Sequence, residues 1–107
     1  MLITLSPQVR YDTLTMSVDG DVLTINGEDY DFSPLTEGAE LPADAVDSPF
    51  VVGVVTRVSG ELRVTVILPI TETATPEQAN PQPVSITSGG VPLPAAPQLE
   101  VSDGQDN

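Results

Sequence analysis

Carboxylates are the abundant reactive groups of this chain. Sixteen Asp and Glu stand against three Arg, with no Lys, no His and no Cys, for a net charge of −13. Two acidic clusters invite a chemical reading. Glu28, Asp29 and Asp31 follow an Asn26-Gly27 pair, and Asp19 and Asp21 bracket Gly20. A paired-carboxylate hydrolase needs two acids across a cleft, commonly with aromatic rings that stack on sugar. This chain has only two Tyr and two Phe, with no Trp, and its acids fall in expected turns or on an expected solvent face. Oxygen ligands at Asp19-Gly20-Asp21 would suit Ca²⁺, but the EF-hand spacing that ends in a Glu at position twelve is missing. Asp-Gly is already accounted for as turn chemistry.

Other chemistries lack their parts. A nucleophilic triad needs a base, and the chain has neither His nor Lys to serve as one. Ser88-Gly89-Gly90 lacks the lysine and the strand-to-helix setting of a phosphate-binding loop. Zinc and copper favour imidazole or thiolate ligands, which are absent. Arg57 and Arg63 are candidates for gripping an anion. Each has a local explanation, Arg57 beside Glu61 and Arg63 on a half-exposed face. The sequence therefore assigns no catalytic residue, no cofactor and no metal, and reads as a non-enzyme.

The charge also limits partners. Binding a phosphate backbone relies on Lys and Arg to displace counterions, so direct nucleic-acid binding is not expected. Anionic membrane surfaces would repel the chain as well. Its apolar runs are far shorter than the ~20 residues of a spanning helix. MLITLSPQVR lacks the basic and apolar regions of a signal peptide. The expected location is the cytoplasm, or a particle assembled there. Such acidity serves solubility, or docking onto a basic partner as a nucleic-acid mimic. A mimic would set its acids in a regular stripe on one surface.

The elements that position these groups are β-strands. Phe50 to Leu68 is the most β-branched stretch, with a turn at Ser59-Gly60. Its apolar rows favour a three-residue loop, Val58 to Gly60, closed by a G1 bulge. That register sets Arg57 against Glu61, and Phe50, Val52, Val54 and Thr56 against Leu68, Val66, Val64 and Leu62. Val51, Gly53 and Val55 then meet Ile67, Thr65 and Arg63 on the other face. A two-residue loop would oppose Leu62 to Arg57, and a one-residue slip inverts every side chain.

Residues 13 to 32 predict a three-stranded meander with turns at Asp19-Gly20 and Asn26-Gly27. Met16 faces Leu23, Leu14 faces Ile25, and Leu23 faces Tyr30. The expected apolar face is Leu14, Met16, Leu23, Ile25, Tyr30 and Phe32. The opposite face is Thr13, Thr15, Ser17, Thr24, Asp29 and Asp31, with Val22 the exception. Leu2 to Leu5 reads as a short edge strand stopped by Ser6-Pro7. Ser33 to Pro49 reads as a crossing loop anchored by Leu35, Leu41 and Val46, with one helical turn at Ala43 to Val46.

From Thr71 the composition shifts. The last 37 residues hold six prolines, five acids, no Arg and no aromatic residue. Residues 1–70 form the expected antiparallel β domain, and 71–107 a mostly flexible tail. Residues 83–94 form either an added hairpin, turning at Gly89-Gly90 with Ile86 opposite Leu93, or a strand on an open sheet edge. From Ala95 onward disorder is expected. The fold class is all-β: a small antiparallel meander and hairpin sandwich, or an open barrel, with a flexible Pro-rich acidic C-terminal tail.

MLITLSP, LTINGEDYDFSPLTEGAELP (residues 23 to 42), DSPF (47 to 50) and SGELRVTVILP (59 to 69) give the chain a family resemblance. Over residues 1 to 69 it resembles a family of small, mostly uncharacterised proteins of tailed bacteriophages and prophages. In that family a similar Asn-Gly-Glu, Asp-Phe-Ser-Pro-Leu and Glu-Gly-Ala run leads to a Gly-Glu-Leu hairpin. These are turn and core motifs, so no catalytic residue carries over. The resemblance implies a phage or prophage protein encoded near tail or tail-fibre genes. The expected function is a non-enzymatic accessory or virion-associated protein acting through protein contacts. Its partner would be a virion or tail component, or a host protein. The alternative is an acidic nucleic-acid mimic that inhibits a basic host protein. An exposed edge strand would suit a dimer, but the sequence does not fix the oligomeric state.

Overall fold

A computed structural model describes residues 1–94. The expected disorder from Ala95 onward lies outside the described residues. In chain order the strands are β1 (Leu2–Val9), β2 (Met16–Asp19), β3 (Val22–Ile25), β4 (Glu28–Asp31) and β5 (Glu40–Pro42). A 3₁₀ turn, Ala43–Ala45, precedes β6 (Val51–Val58) and β7 (Glu61–Ile70). One helical turn, α1 (Pro76–Ala79), leads to β8 (Val84–Ser85) and β9 (Ser88–Gly90). The described chain is all-β with almost no helix. It forms two sheets, ordered β5-β6-β7-β1-β8 and β4-β3-β2-β9, and neither closes into a barrel. Ile3, Val55, Val64 and Val66 of the first sheet share one buried core with Val18, Leu23 and Ile25 of the second. The sandwich follows from this: each sheet has one apolar face, and each covers the other.

The meander forms as its turns dictate. Asn26 and Gly27 both take positive φ, at 50° and 84°, which is the type I′ geometry. Leu23 pairs with Tyr30 as expected. The first turn is Gly20-Asp21 rather than Asp19-Gly20, with positive φ at Gly20 alone. Met16 therefore pairs with Ile25 and Val18 with Leu23, two residues away from the expected register. Because side chains alternate with period two, the slip leaves the apolar face intact.

The central hairpin departs further. Ser59 and Gly60 form a two-residue turn, both with positive φ. Val58 pairs with Glu61, Arg57 with Leu62 and Thr56 with Arg63. The register then shifts between Thr56 and Val52, so that Val52 pairs with Thr65 and Val51 with Val66. Gly53, with φ 72°, lies in this bulge. On β7 the expected inward row, Leu62, Val64, Val66 and Leu68, is buried. On β6 the row is inverted: Val51 and Val55 are inside, while Val54 is 46% exposed.

β1 is not a short edge strand. It runs parallel to β7 over its whole length, from Leu2↔Arg63 to Val9↔Ile70, between β7 and β8. Pro7 does not break it. The Met1 N–H and carbonyl both bond Ile86, so odd-numbered residues of β1 turn their backbone groups towards β8. β8 pairs only with Leu2 and Ile3. At Pro7 the missing N–H therefore faces an unpaired edge and costs no ladder bond.

The Ser33–Pro49 crossing contains β5 and the 3₁₀ turn, with Val46 buried and Leu35 and Leu41 packed on the core. Residues 71–94, expected as mostly flexible, carry α1, β8 and β9. Thr75 and Gln78 exchange side-chain and backbone bonds in a capping box that starts α1. Residues 83–94 do not form a separate hairpin. β8 adds to the edge of β1, and β9 adds to the edge of β2.

Two seams hold the sheets together. Along one, Val84 to Val91 passes from the first sheet to the second. Ile86 bonds Met1, Gly20 N–H donates to the Thr87 carbonyl, and Val91 N–H donates to the Met16 carbonyl. Along the other, the chain crosses from β4 to β5 around Arg57.

Candidate functional site

Among the described residues, Arg57 is the most heavily engaged side chain. Its Nε donates to the Leu35 carbonyl at 2.6 Å, and Nη2 to the Phe32 carbonyl at 3.2 Å. Nη1 donates to the Gly60 carbonyl at 3.3 Å. Nη1 and Nη2 reach the two Asp21 carboxylate oxygens at 3.4 and 3.2 Å. All five guanidinium donors are thus used. The expected pairing of Arg57 with Glu61 gives way to Asp21, because the two-residue turn points Arg57 inward. Beside it, the Glu37 carboxylate accepts from the N–H groups of Ser59 and Gly60 at 2.6 and 2.7 Å. The turn's anion-binding concavity is filled by the chain itself.

The acidic candidates separate. Asp21 is committed to Arg57, while Asp19 is exposed on the outer face of β2. Asp29 accepts from the Thr24 hydroxyl at 2.7 Å. Asp31 accepts from the Ser33 N–H at 2.9 Å, which lowers its pKa from 3.8. Glu28 is exposed at the start of β4. Asp29, Asp31 and Asp47 border a shallow depression of about 240 Å³, across which the Tyr30 hydroxyl donates to the Asp47 carbonyl at 3.1 Å. Among the described residues, no group of three or more His, Cys, Asp or Glu is arranged to hold a metal ion. A groove of about 540 Å³ lies along β1 at Leu5 between Pro76, Pro92 and Pro94. Among the described residues, Glu77 is its one titratable wall residue. Ser88, Gly89 and Gly90 form β9.

The two outer faces differ. On the four-stranded sheet, pairing sets Asp19, Val22 and Asp31 in one row, and Ser17, Thr24 and Asp29 in the next. On the five-stranded sheet, Glu40, Thr56, Arg63 and Leu2 form a row across four strands. Val52 and Thr65 form the next. Its carboxylates are marginal: Glu40 is on edge strand β5, and Glu61 is at the hairpin turn. Arg63 is exposed and has no hydrogen bond or ion pair among the described residues. Arg10, by contrast, pairs with Asp12 and lies 4.9 Å above the Phe50 ring.

Sequence reasoning did not find the Arg57 cluster or the Glu37 contact. One signal was available: Arg57 is the only base between Tyr11 and Leu62, and it sits in the most apolar stretch. Among the described residues, no helix is long and apolar enough to cross a membrane. Compared with protein-family models, curated proteins and solved structures, the chain has no match.

Proposed function

We propose that the protein is a non-enzymatic accessory or virion-associated protein of a bacteriophage or prophage, acting through protein–protein contacts in the host cytoplasm or in the particle. The observation that supports this reading is how the carboxylates are deployed. Among the described residues they lie on outer sheet faces, loops and turns, where Thr24, Ser33, Ser59, Gly60 and Arg57 engage several of them. Among the described residues, the groove along β1 offers a single acid and no base to pair with it. General acid–base chemistry needs partners within reach of one substrate atom. The surface left for a partner is the acidic outer face of β4-β3-β2, which suits a basic counterpart.

Affinity purification of the tagged protein from infected cells tests the reading. A virion or tail component should co-purify, and its contact should weaken as salt rises. Absence from virions and from every tail fraction would overturn it. The mimic reading draws on the same face, since Asp19, Asp29 and Asp31 share it. It predicts instead a basic host protein in the eluate, released by competing nucleic acid.

A further inference from the structure

β1 gives the five-stranded sheet an open edge. Of its eight residues, β8 covers only Leu2 and Ile3. The odd-numbered residues turn their backbone groups to that side. Leu5 and Val9 therefore each present an N–H and a carbonyl there, and Pro7 a carbonyl alone. None of these groups has a hydrogen bond among the described residues. They recur at every second residue, about 6.6 Å apart, which is the spacing of an extended chain. The groove of about 540 Å³ lies beside this edge at Leu5, and falls within the ~300–1,000 Å³ of ligand clefts. Glu77, Asn80 and Gln82 also line it, exposed and with no side-chain hydrogen bond among the described residues. Farther along the chain, Val9 and Tyr11 are the two most exposed of the large hydrophobic residues described, at 53% and 75%.

We infer that this edge binds a basic, extended segment of another protein, which adds to β1 as a strand alongside residues 5–9. Backbone groups at that repeat are matched by the main chain of a strand. Segment residues opposite Leu5, Pro7 and Val9 share their face of the sheet, so apolar side chains there cover Val9. Charge selects the sign of the segment. Glu77 lines the groove, and Glu72 accepts from the Tyr11 hydroxyl. Among the described residues no base lines the groove, and Arg10, next to Val9, is taken by Asp12. A Lys or Arg on the segment meets Glu77. The same charge argues against occupants from this chain. Residues 95–107 carry three acids and no base. A second copy brings a net charge of −13. A two-fold pairing of Leu5 with Val9 would also centre on Pro7, setting carbonyl against carbonyl with no N–H between them. The edge belongs to the other sheet from the acidic outer face, so the inference stands apart from the proposed accessory role.

Titrating the ¹⁵N-labelled full chain with the capped peptide Lys-Val-Thr-Val-Thr-Val-Lys tests it, read by amide shifts and amide hydrogen exchange. The Leu5 and Val9 amides should shift, and should exchange about tenfold more slowly at saturation. Replacing both peptide Lys by Glu should weaken binding about tenfold. N-methylating the three peptide Val amides should abolish it, because those groups face β1. Val9→Pro removes an edge donor but no bond to β7, as Pro7 does, and should weaken binding about tenfold with the fold unchanged in circular dichroism. The N-methylated peptide makes the same test on the unaltered chain. Glu77→Gln should weaken binding about threefold. No saturable shift at Leu5 or Val9 overturns the inference, as do shifts confined to the outer face of β4-β3-β2. Indifference to Val9→Pro or to N-methylation does the same. Leu5 and Val9 amides already slow to exchange without peptide also overturn it. At every concentration that would mean the chain's own residues cover the edge, and only at high concentration a second copy.

Discussion

The two seams of the sandwich do the same work with different materials. The Val84–Val91 seam is main chain. Its bonds run from Ile86 to Met1, from Gly20 to Thr87 and from Val91 to Met16, and side-chain identity matters little to them. The Arg57 seam is one side chain reaching three carbonyls and a carboxylate. The first should tolerate point substitution but depends on chain continuity. The second should be vulnerable at a single residue. A backbone stitch spreads its contribution over many groups, whereas a guanidinium hub concentrates it in one.

Cutting the chain after Asn80 should have the largest effect. It removes β8, β9 and buried Val91, exposing the edges of β1 and β2. Cooperative thermal unfolding should be lost in circular dichroism; an unchanged melt would show that the stitch is dispensable. Next comes Arg57→Met. The Phe32 and Leu35 carbonyls and Asp21 lose their donor together, and the variant should be about 3 kcal/mol less stable in urea. Arg57→Lys should recover little, because an ammonium lacks the planar fork.

Gly53→Ala probes the bulge on which β5 rests. No atom lies within 4 Å of the added Cβ, so the cost is backbone strain alone, about 1–2 kcal/mol. Ser88→Ala, in the stitched seam, should stay within about 0.5 kcal/mol of wild type. A larger loss there than at Arg57 would reverse the comparison.

The smallest effect lies outside both seams. The Tyr11 hydroxyl donates to Glu72 at 2.6 Å. That bond lowers the Glu72 pKa from 4.5 and raises that of Tyr11 from 10.0. A lowered acid stabilises above its unfolded pKa and is lost as pH falls. A raised tyrosine stabilises below its unfolded pKa and is lost as pH rises. The contribution is therefore confined between those limits, and both groups are exposed. Tyr11→Phe should slightly flatten the stability profile at its acid and alkaline ends, measured by melts across pH.

Local chemistry was legible in the sequence, and distant partners were not. Asn26-Gly27 announced its turn, and Leu23 met Tyr30 as read. At the first turn, the shift from Asp19-Gly20 to Gly20-Asp21 was an even slip, so every side chain kept its face. At the central hairpin the slip was odd. Val51, Val52, Val54 and Val55 are apolar on both faces of β6, so alternation could not choose between registers. Arg57 decides the matter by turning inward to carbonyls at Phe32 and Leu35, more than twenty residues away in sequence. The parallel pairing of β1 with β7, and the use of 84–90 on two separate edges, are long-range choices of the same kind. The acids were easy to count, but their engagement by Thr24, Ser33 and the Ser59-Gly60 turn needed the fold.

The parallel pairing of β1 has a consequence for biosynthesis. Leu2 must wait for Arg63, so β1 leaves the ribosome well before the strand it pairs with. Loop closure over that span must precede the contacts that reward it, which slows folding. Until then the nascent segment Leu2 to Leu5 is an unpaired, sticky strand. The surplus negative charge that follows it, from Asp12 to Asp47 without one base, keeps neighbouring chains on a polysome apart while it waits.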